Sequence, residues 1–350
     1  MATGSSSPTM GWFSTSRSLV SVDLGALRRN VARVLRVLDG AELWAVVKAD
    51  GYGHGAVDCG RAALEAGATG LCVATVAEAL ELRSELPHAR ILVMGPTDEV
   101  ALARDARLEL VVPTKAIPEG VPVHVKLDTG MGRWGVSEFV QPTGNVVGLM
   151  SHLASADCDR EFTERQIERF QELTEPYSHL TRHLANSAAA LRFPGARFDA
   201  ARCGIALYGL SPFGEDPAAD GLEPVLRWQS ELAQVKLLRP GESTGYGRRF
   251  VAERDTWIGI VPVGYADGFR RDMTGTEVLV EGERRRVVGT VSMDALAVEL
   301  DRELTAGTAV TLVGDGLLLE EHARVADTIT YELACGIGTR PARGERVVHA

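Results

Sequence analysis

Residues 45–55 read Ala45-Val46-Val47-Lys48-Ala49-Asp50-Gly51-Tyr52-Gly53-His54-Gly55: an apolar strand, a lysine at its C-terminal end, then a glycine-rich loop. A second copy of that plan is Val123-His124-Val125-Lys126-Leu127-Asp128-Thr129-Gly130-Met131-Gly132-Arg133-Trp134-Gly135. Working outward, compact apolar runs recur at 43–47, 70–74, 91–94, 108–112, 121–127, 146–150, 183–185 and 198–200. Helix-patterned stretches lie between most of them, as at 56–66, 77–84 and 160–172. Ahead of them, a β-like run at 19–23 precedes a helical repeat of Leu24, Leu27, Val31, Val34, Leu35 and Leu38. Eight runs with α crossovers predict a (β/α)8 barrel of the TIM type, although a doubly wound sheet alternates in the same way. On a barrel, active sites sit at the C-terminal ends of the strands, where Lys48 and Lys126 fall.

Past Glu223 the texture changes. Runs at 227–238, 256–263, 277–280, 286–293, 296–300 and 309–313 are β-like and punctuated by Pro240-Gly241, Glu281-Gly282 and Gly314-Asp315-Gly316. A helical pattern returns at 324–333. The expected organisation is a disordered Ser/Thr/Gly-rich tail at 1–18, an α/β barrel at 19–222 and a β-rich C-terminal domain at 223–350. Residues 1–18 have no apolar core before a cleavage site, so they do not read as a signal peptide.

With 45% hydrophobic and 24% charged residues, the chain has the composition of a soluble globular protein. A formal charge of −10 gives no electrostatic reason to expect nucleic acid or a polybasic membrane contact, and no apolar run reaches a membrane span. The five cysteines are scattered without a C-x-x-C, which argues against a disulfide framework and a thiolate metal site and fits a reducing cytoplasm. No metal is expected. Only four of the 37 basic residues are lysines (Lys48, Lys115, Lys126, Lys236). In so arginine-rich a chain a lysine invites a chemical reading, because its amine can lose a proton and a guanidinium cannot.

A lysine leaving a buried strand is partly desolvated, which favours the neutral amine and Schiff-base chemistry at Lys48. A snorkelling surface lysine would look the same. Gly130-x-Gly132-x-x-Gly135 matches a dinucleotide fingerprint literally, but that pattern opens a helix and Pro142 follows too soon, so a nicotinamide cofactor is rejected. The turn Ala201-Arg202-Cys203-Gly204-Ile205 suits a phosphate, since bare backbone N–H groups can face an anion there.

With Ser151-His152, Ala185-Asn186-Ser187, Gly245-Tyr246-Gly247, Val263-Gly264-Tyr265-Ala266-Asp267-Gly268 and Ser292-Met293-Asp294, these segments resemble the alanine racemase family in motif and order, over roughly residues 19–345. The resemblance implies pyridoxal 5′-phosphate as cofactor, a homodimer with shared active sites, and D-alanine supply for peptidoglycan. It implies that Lys48 holds the cofactor, that Tyr52, Ser187, Gly204 and Ile205 bind its phosphate, that Arg202 faces the pyridine nitrogen, and that His152 stacks on the ring. Arg133 and the Met293 backbone would grip the substrate carboxylate. Lys126, often carbamylated in this family, Tyr265 at the entrance and Asp294 would support them. Racemisation needs acid–base groups on both faces of the cofactor, and Lys48 and Tyr246 match those positions. An ordinary tyrosine, with a pKa near about 10, must be made more acidic to serve as a base.

His54, His124 and His183 read as structural. Near Thr339 some relatives carry an aromatic that narrows the pocket; this chain has none, which leaves room for a broader-specificity racemase. The remaining alternatives are a barrel-type decarboxylase, a non-catalytic pyridoxal-phosphate protein and a sugar-phosphate barrel enzyme.

Overall fold

A computed structural model describes residues 16–137, 144–339 and 343–350; residues 1–15 of the expected tail, and Pro142, lie outside the described residues. Contacts divide the chain into two units, Asp23–Val225 and a second made of Leu226–Val348 with the residues up to Val22.

The strand β1 (Leu19–Asp23) lies within the range expected for the barrel, and it pairs antiparallel with Leu226–Glu231 of the second unit's sheet. Asp23 ends that strand and caps the helix Leu24–Leu38, accepting from the Ala26 N–H at 2.9 Å. The helix buries Leu24, Leu27, Val31, Val34 and Leu38, one stripe at spacings of three and four.

In the first unit, among the described residues, eight parallel strands close on themselves: β2 (Glu42–Val46), β3 (Gly70–Val73), β4 (Ile91–Val93), β5 (Glu109–Val112), β6 (Val123–Lys126), β7 (Val146–Met150), β8 (Thr181–His183) and β9 (Ala200–Cys203). β2 pairs with both β3 and β9, so the sheet has no free edge. Most barrel strands are buried along nearly their whole length, which is why they read as continuous apolar runs. The last two strands differ from expectation, at 181–183 and 200–203 instead of 183–185 and 198–200. β8 opens on the polar pair Thr181-Arg182 and β9 runs on through Arg202, positions that a search for apolar residues passes over; His183 and Arg202 lie buried in the barrel. Gly148 on β7 makes room for this interior, because a Cβ there would collide with the His124 ring.

Besides β1, the strands of the second unit among the described residues are β10 (Leu226–Glu231), β11 (Gln234–Leu238), β12 (Ser243–Thr244), β13 (Phe250–Val251), β14 (Thr256–Val261), β15 (Glu277–Val280), β16 (Glu283–Val288), β17 (Leu296–Leu300), β18 (Ala309–Val313) and β19 (Glu345–His349). β12 and β13 form a separate ribbon, and the others with β1 make a nine-stranded sheet in the order β11-β14-β17-β16-β15-β18-β10-β1-β19. The run expected at 227–238 is thus two strands that occupy different places in the sheet. The run at 286–293 shifts to 283–288, which leaves Ser292 and Met293 in a loop. The helix expected at 324–333 is two, Leu319–Val325 and Thr330–Gly336, broken where Asp327 takes φ 49°. Trp228, Phe269, Val278, Ile258, Val298 and Leu312 are buried in this unit.

Candidate active site

Lys48 follows β2 directly, and the chain then turns the wrong way for L-residues. Ala49, Asp50, Gly51 and Tyr52 have φ of 52°, 51°, 62° and 55°. Left-handed geometry costs about 1–2 kcal/mol for each non-glycine residue, so the turn needs external support. Glu78 gives it: one carboxylate oxygen accepts from the Ala49 N–H at 2.7 Å, the other from Ala74 and Thr75 N–H at 2.8 and 3.1 Å. Asp50 accepts from the Ala56 N–H at 2.9 Å, and Gly51 donates to the Val47 carbonyl at 2.9 Å. Under the turn, Tyr208 packs on the Tyr52 and His54 rings and donates to the Val46 carbonyl at 3.0 Å. His54 is wholly buried, with Nδ1 at 2.9 Å from the Tyr52 carbonyl, a structural place.

The turn delivers Tyr52 to the end of β9. A Cβ at Gly204 would collide with the Tyr52 hydroxyl, so only glycine lets the backbone approach it. Ser187 Oγ accepts from the Gly204 and Ala206 N–H groups at 3.1 and 3.4 Å, and Ile205 starts the short turn Ile205–Tyr208. Two hydroxyls and a stretch of backbone N–H thus converge on one spot.

The rest of this mouth is cationic. Arg202 lies buried in β9, donating to the carbonyls of His183, Ser151 and Leu184 at 2.7, 2.8 and 3.2 Å, with Nη2 at 3.4 Å from His152 Nδ1. Burial lowers its pKa to about 10, so the charge persists at neutral pH. Lys126, at the end of β6, is pushed down to about 8 by burial, with Arg133 and Arg202 adding to the effect. Burial, followed by the charges of Arg202, Lys126, Arg133 and Lys48, holds His152 well below the ordinary imidazole value, so its ring is neutral. The loop beyond Lys126 is organised by Asp128, which accepts from Gly130 and Gly132 N–H at 2.9 and 3.1 Å. Trp134 lies beside both Lys126 and Arg133, at 5.4 and 5.2 Å from its ring centre.

Lys48, Tyr52, Lys126, Arg133, His152, Ser187, Arg202, Gly204 and Ile205 therefore all belong to the barrel unit, on or beyond the strand ends. In a chain of net charge −10, four cationic groups gathered near one another invite an anionic ligand.

The other expected residues belong to the second unit. Tyr246 is 72% exposed, in a turn between Gly245 and Gly247, and its carbonyl accepts from Thr290 Oγ1 at 2.9 Å. Tyr265 and Met293 are also exposed, on two loops locked together by Tyr265 N–H to Ser292 O at 3.0 Å and Ala266 N–H to Met293 O at 3.1 Å. Arg343 ties the same loops, bonding Asp267 and Asp294 at 2.9 Å each.

Reading the sequence missed Glu78 and Glu109 and set His124 and His183 aside as structural. Thr75-x-x-Glu78 is visible as a capping box, but its reach to Ala49 is not. His124 and His183 are bonded to each other at 2.9 Å, and His183 to Arg202 at 2.8 Å.

Residues 22–212 match the family model described as alanine racemase, N-terminal domain, and residues 225–344 the one described as alanine racemase, C-terminal domain. The chain is 41% identical to alanine racemase 1 of Bacillus subtilis, over 92% of this chain and 91% of that protein. The structure of alanine racemase from D-cycloserine-producing Streptomyces lavendulae superposes with a TM-score of 0.89 at 34% identity, covering 97% of this chain and 98% of that one. The biosynthetic alanine racemase of Pseudomonas aeruginosa gives 0.88 at 36% identity, over 96% and 100%.

Proposed function

The chain belongs to the alanine racemase family, and on that basis we propose that it interconverts L-alanine and D-alanine with pyridoxal 5′-phosphate held on Lys48. The observation that carries this reading is the barrel mouth, where Lys48 stands with Arg133 and Arg202 beside a hydroxyl and N–H cradle. That donor set fits a phosphate ester and a carboxylate. Tyr52, Ser187, Gly204 and Ile205 would hold the phosphate, the neutral His152 ring would stack on the cofactor, and Arg202 would face its pyridine nitrogen. When bound, the cofactor supplies the electron sink that makes an amino acid's α-hydrogen removable.

The chain's own residues do the rest. Arg202 keeps its charge at neutral pH and has no lone pair, so it disfavours a proton on the nitrogen it faces. Arg133 and the Met293 backbone bind the substrate carboxylate. Lys48 Nζ moves a proton on one face, and Tyr246 Oη moves one on the other. Tyr246 comes from a second copy of the chain, so each site of the homodimer is shared, and Tyr265 lines the entrance. The lowered Lys126 amine takes up carbon dioxide, and the resulting carbamate orients Arg133, while Asp294 supports Met293 through Arg343. The proposed domain division is a tail at 1–18, a barrel at 19–222 and a β-rich domain at 223–350, with the strand β1 lent to the sheet of the last. The D-alanine supplies peptidoglycan from the cytoplasm, where the free cysteines stay reduced.

Incubating the purified protein with L-alanine in deuterated buffer tests the reading. Wash-in of deuterium at the α-carbon together with D-alanine formation is expected; absence of both refutes it. Running serine alongside decides between a strict alanine enzyme and a broader racemase.

A further inference from the structure

A chain of hydrogen bonds runs from the candidate site down through the barrel interior. Arg202 Nη1 is 2.8 Å from His183 Nδ1, His183 Nε2 is 2.9 Å from His124 Nδ1, and His124 Nε2 is 2.8 Å from Glu109 Oε2. Arg202, His183 and His124 are buried, and Glu109 is the first residue of β5, at the N-terminal end of its strand. Its other oxygen accepts from Arg90 Nε at 2.9 Å, and the Arg90 guanidinium lies 4.3 Å over the Trp44 ring. Trp44 packs against both imidazoles, with ring centres 4.6 Å from His183 and 5.6 Å from His124.

The protons along this chain follow from its two ends. A guanidinium has only donors, so His183 Nδ1 accepts and the proton of that ring sits on Nε2. It points at His124 Nδ1, which accepts in turn. The His124 proton therefore sits on Nε2 and is donated to the Glu109 carboxylate. Both rings are neutral, burial holding His124 below and His183 well below the ordinary imidazole value. Burial works against ionisation of Glu109, but the bonds from His124 and Arg90 prevail and hold its carboxyl below the usual range.

We propose that Glu109 is a positioning residue for Arg202: by accepting from His124 it fixes the tautomers of two histidines, so that His183 meets the guanidinium with a lone pair. In the opposite tautomers His183 Nδ1–H would oppose an Arg202 N–H, and Arg202 would have to turn from its place. The consequence for the cofactor rests on the proposed function, in which Arg202 faces the pyridine nitrogen.

Neutron diffraction from deuterium-exchanged crystals of the full-length, cofactor-loaded protein reads the protons directly. Deuterium on Nε2 of both His124 and His183 is expected; deuterium on His183 Nδ1 overturns the proposal. Two variants test the consequence. Glu109→Gln keeps a carbonyl acceptor and is expected to retain the absorption maximum of the bound cofactor and most of kcat. Glu109→Leu, with folding checked by circular dichroism, is expected to shift that maximum and lower kcat about tenfold or more at little change in KM, the scale of one misplaced charge-assisted hydrogen bond. A folded Glu109→Leu protein with native spectrum and kcat overturns the proposal. Should the purified protein take up no cofactor, the same neutron measurement on crystals of it as purified, giving the expected tautomers, would leave the hold on Arg202 standing and refute the functional reading alone.

Discussion

Glu78 reaches out of its own helix cap to the backbone N–H of Ala49, the residue after Lys48, at 2.7 Å. A residue that looks like an ordinary capping partner thereby holds the turn that aims the lysine. Glu78→Ala should cost about 1–2 kcal/mol through the lost cap and unsatisfied N–H groups, and activity should fall further than stability accounts for. Denaturant unfolding alongside kcat would show it. A variant that loses stability but keeps full kcat would confine Glu78 to capping.

Lys48→Ala is expected to abolish the long-wavelength absorption of the protein. Borohydride reduction of the parent followed by peptide mapping should find the cofactor on Lys48. Recovery of the label on Lys126 or Lys236 would move the attachment site.

Because burial pushes the Lys126 amine down to about 8, a share of it is neutral near that pH and open to carbon dioxide. A mass gain of one carbon dioxide in bicarbonate, absent from Lys126→Arg, is the expected result of native mass spectrometry. Arg133→Gln should raise KM for alanine more than it lowers kcat, since the carboxylate grip acts in ground and transition states alike. An unchanged KM would assign the grip elsewhere.

His124, His183 and His322 are fully buried, and burial holds each below the ordinary imidazole value. The unfolded chain therefore binds protons near pH 6.5 that the folded chain refuses. Stability from these groups is complete above that value and is lost as pH falls below it, by up to about 1.4 kcal/mol per pH unit for each. Melting temperatures should hold level from pH 7.5 to about 6.5 and decline from there to pH 5.5. A flat profile would mean that the rings take up protons inside the fold.

Tyr246→Phe should keep the bound cofactor and lose most racemisation. The loss should be asymmetric, because Lys48 can still exchange the α-proton of D-alanine. Mixing it with Lys48→Ala protein should restore part of the activity, since in the proposed shared-site dimer half the sites of a hybrid are intact. No rescue after verified subunit exchange would place Tyr246 within its own chain's site.

By itself the sequence determined an alternating α/β region followed by a β-rich one, because buried parallel strands must be apolar along their length and their connecting helices must carry a stripe; closure of the eight strands into a barrel was decided by the pairing of β2 with β9. It also marked Lys48, Lys126 and the Gly204 turn, since glycine and lysine at strand ends are local features. Only the tertiary structure decided where polar groups interrupt that pattern. β8 begins earlier than expected, on the polar Thr181-Arg182, and β9 extends through Arg202, whose buried guanidinium is satisfied by His183. Glu78 and Glu109 each serve a residue far away in sequence, Ala49 at 29 positions for the first and His124 at 15 for the second. A hydrogen bond is directional and short, so its partner is chosen by the folded chain in space, and no periodicity along the sequence records that choice.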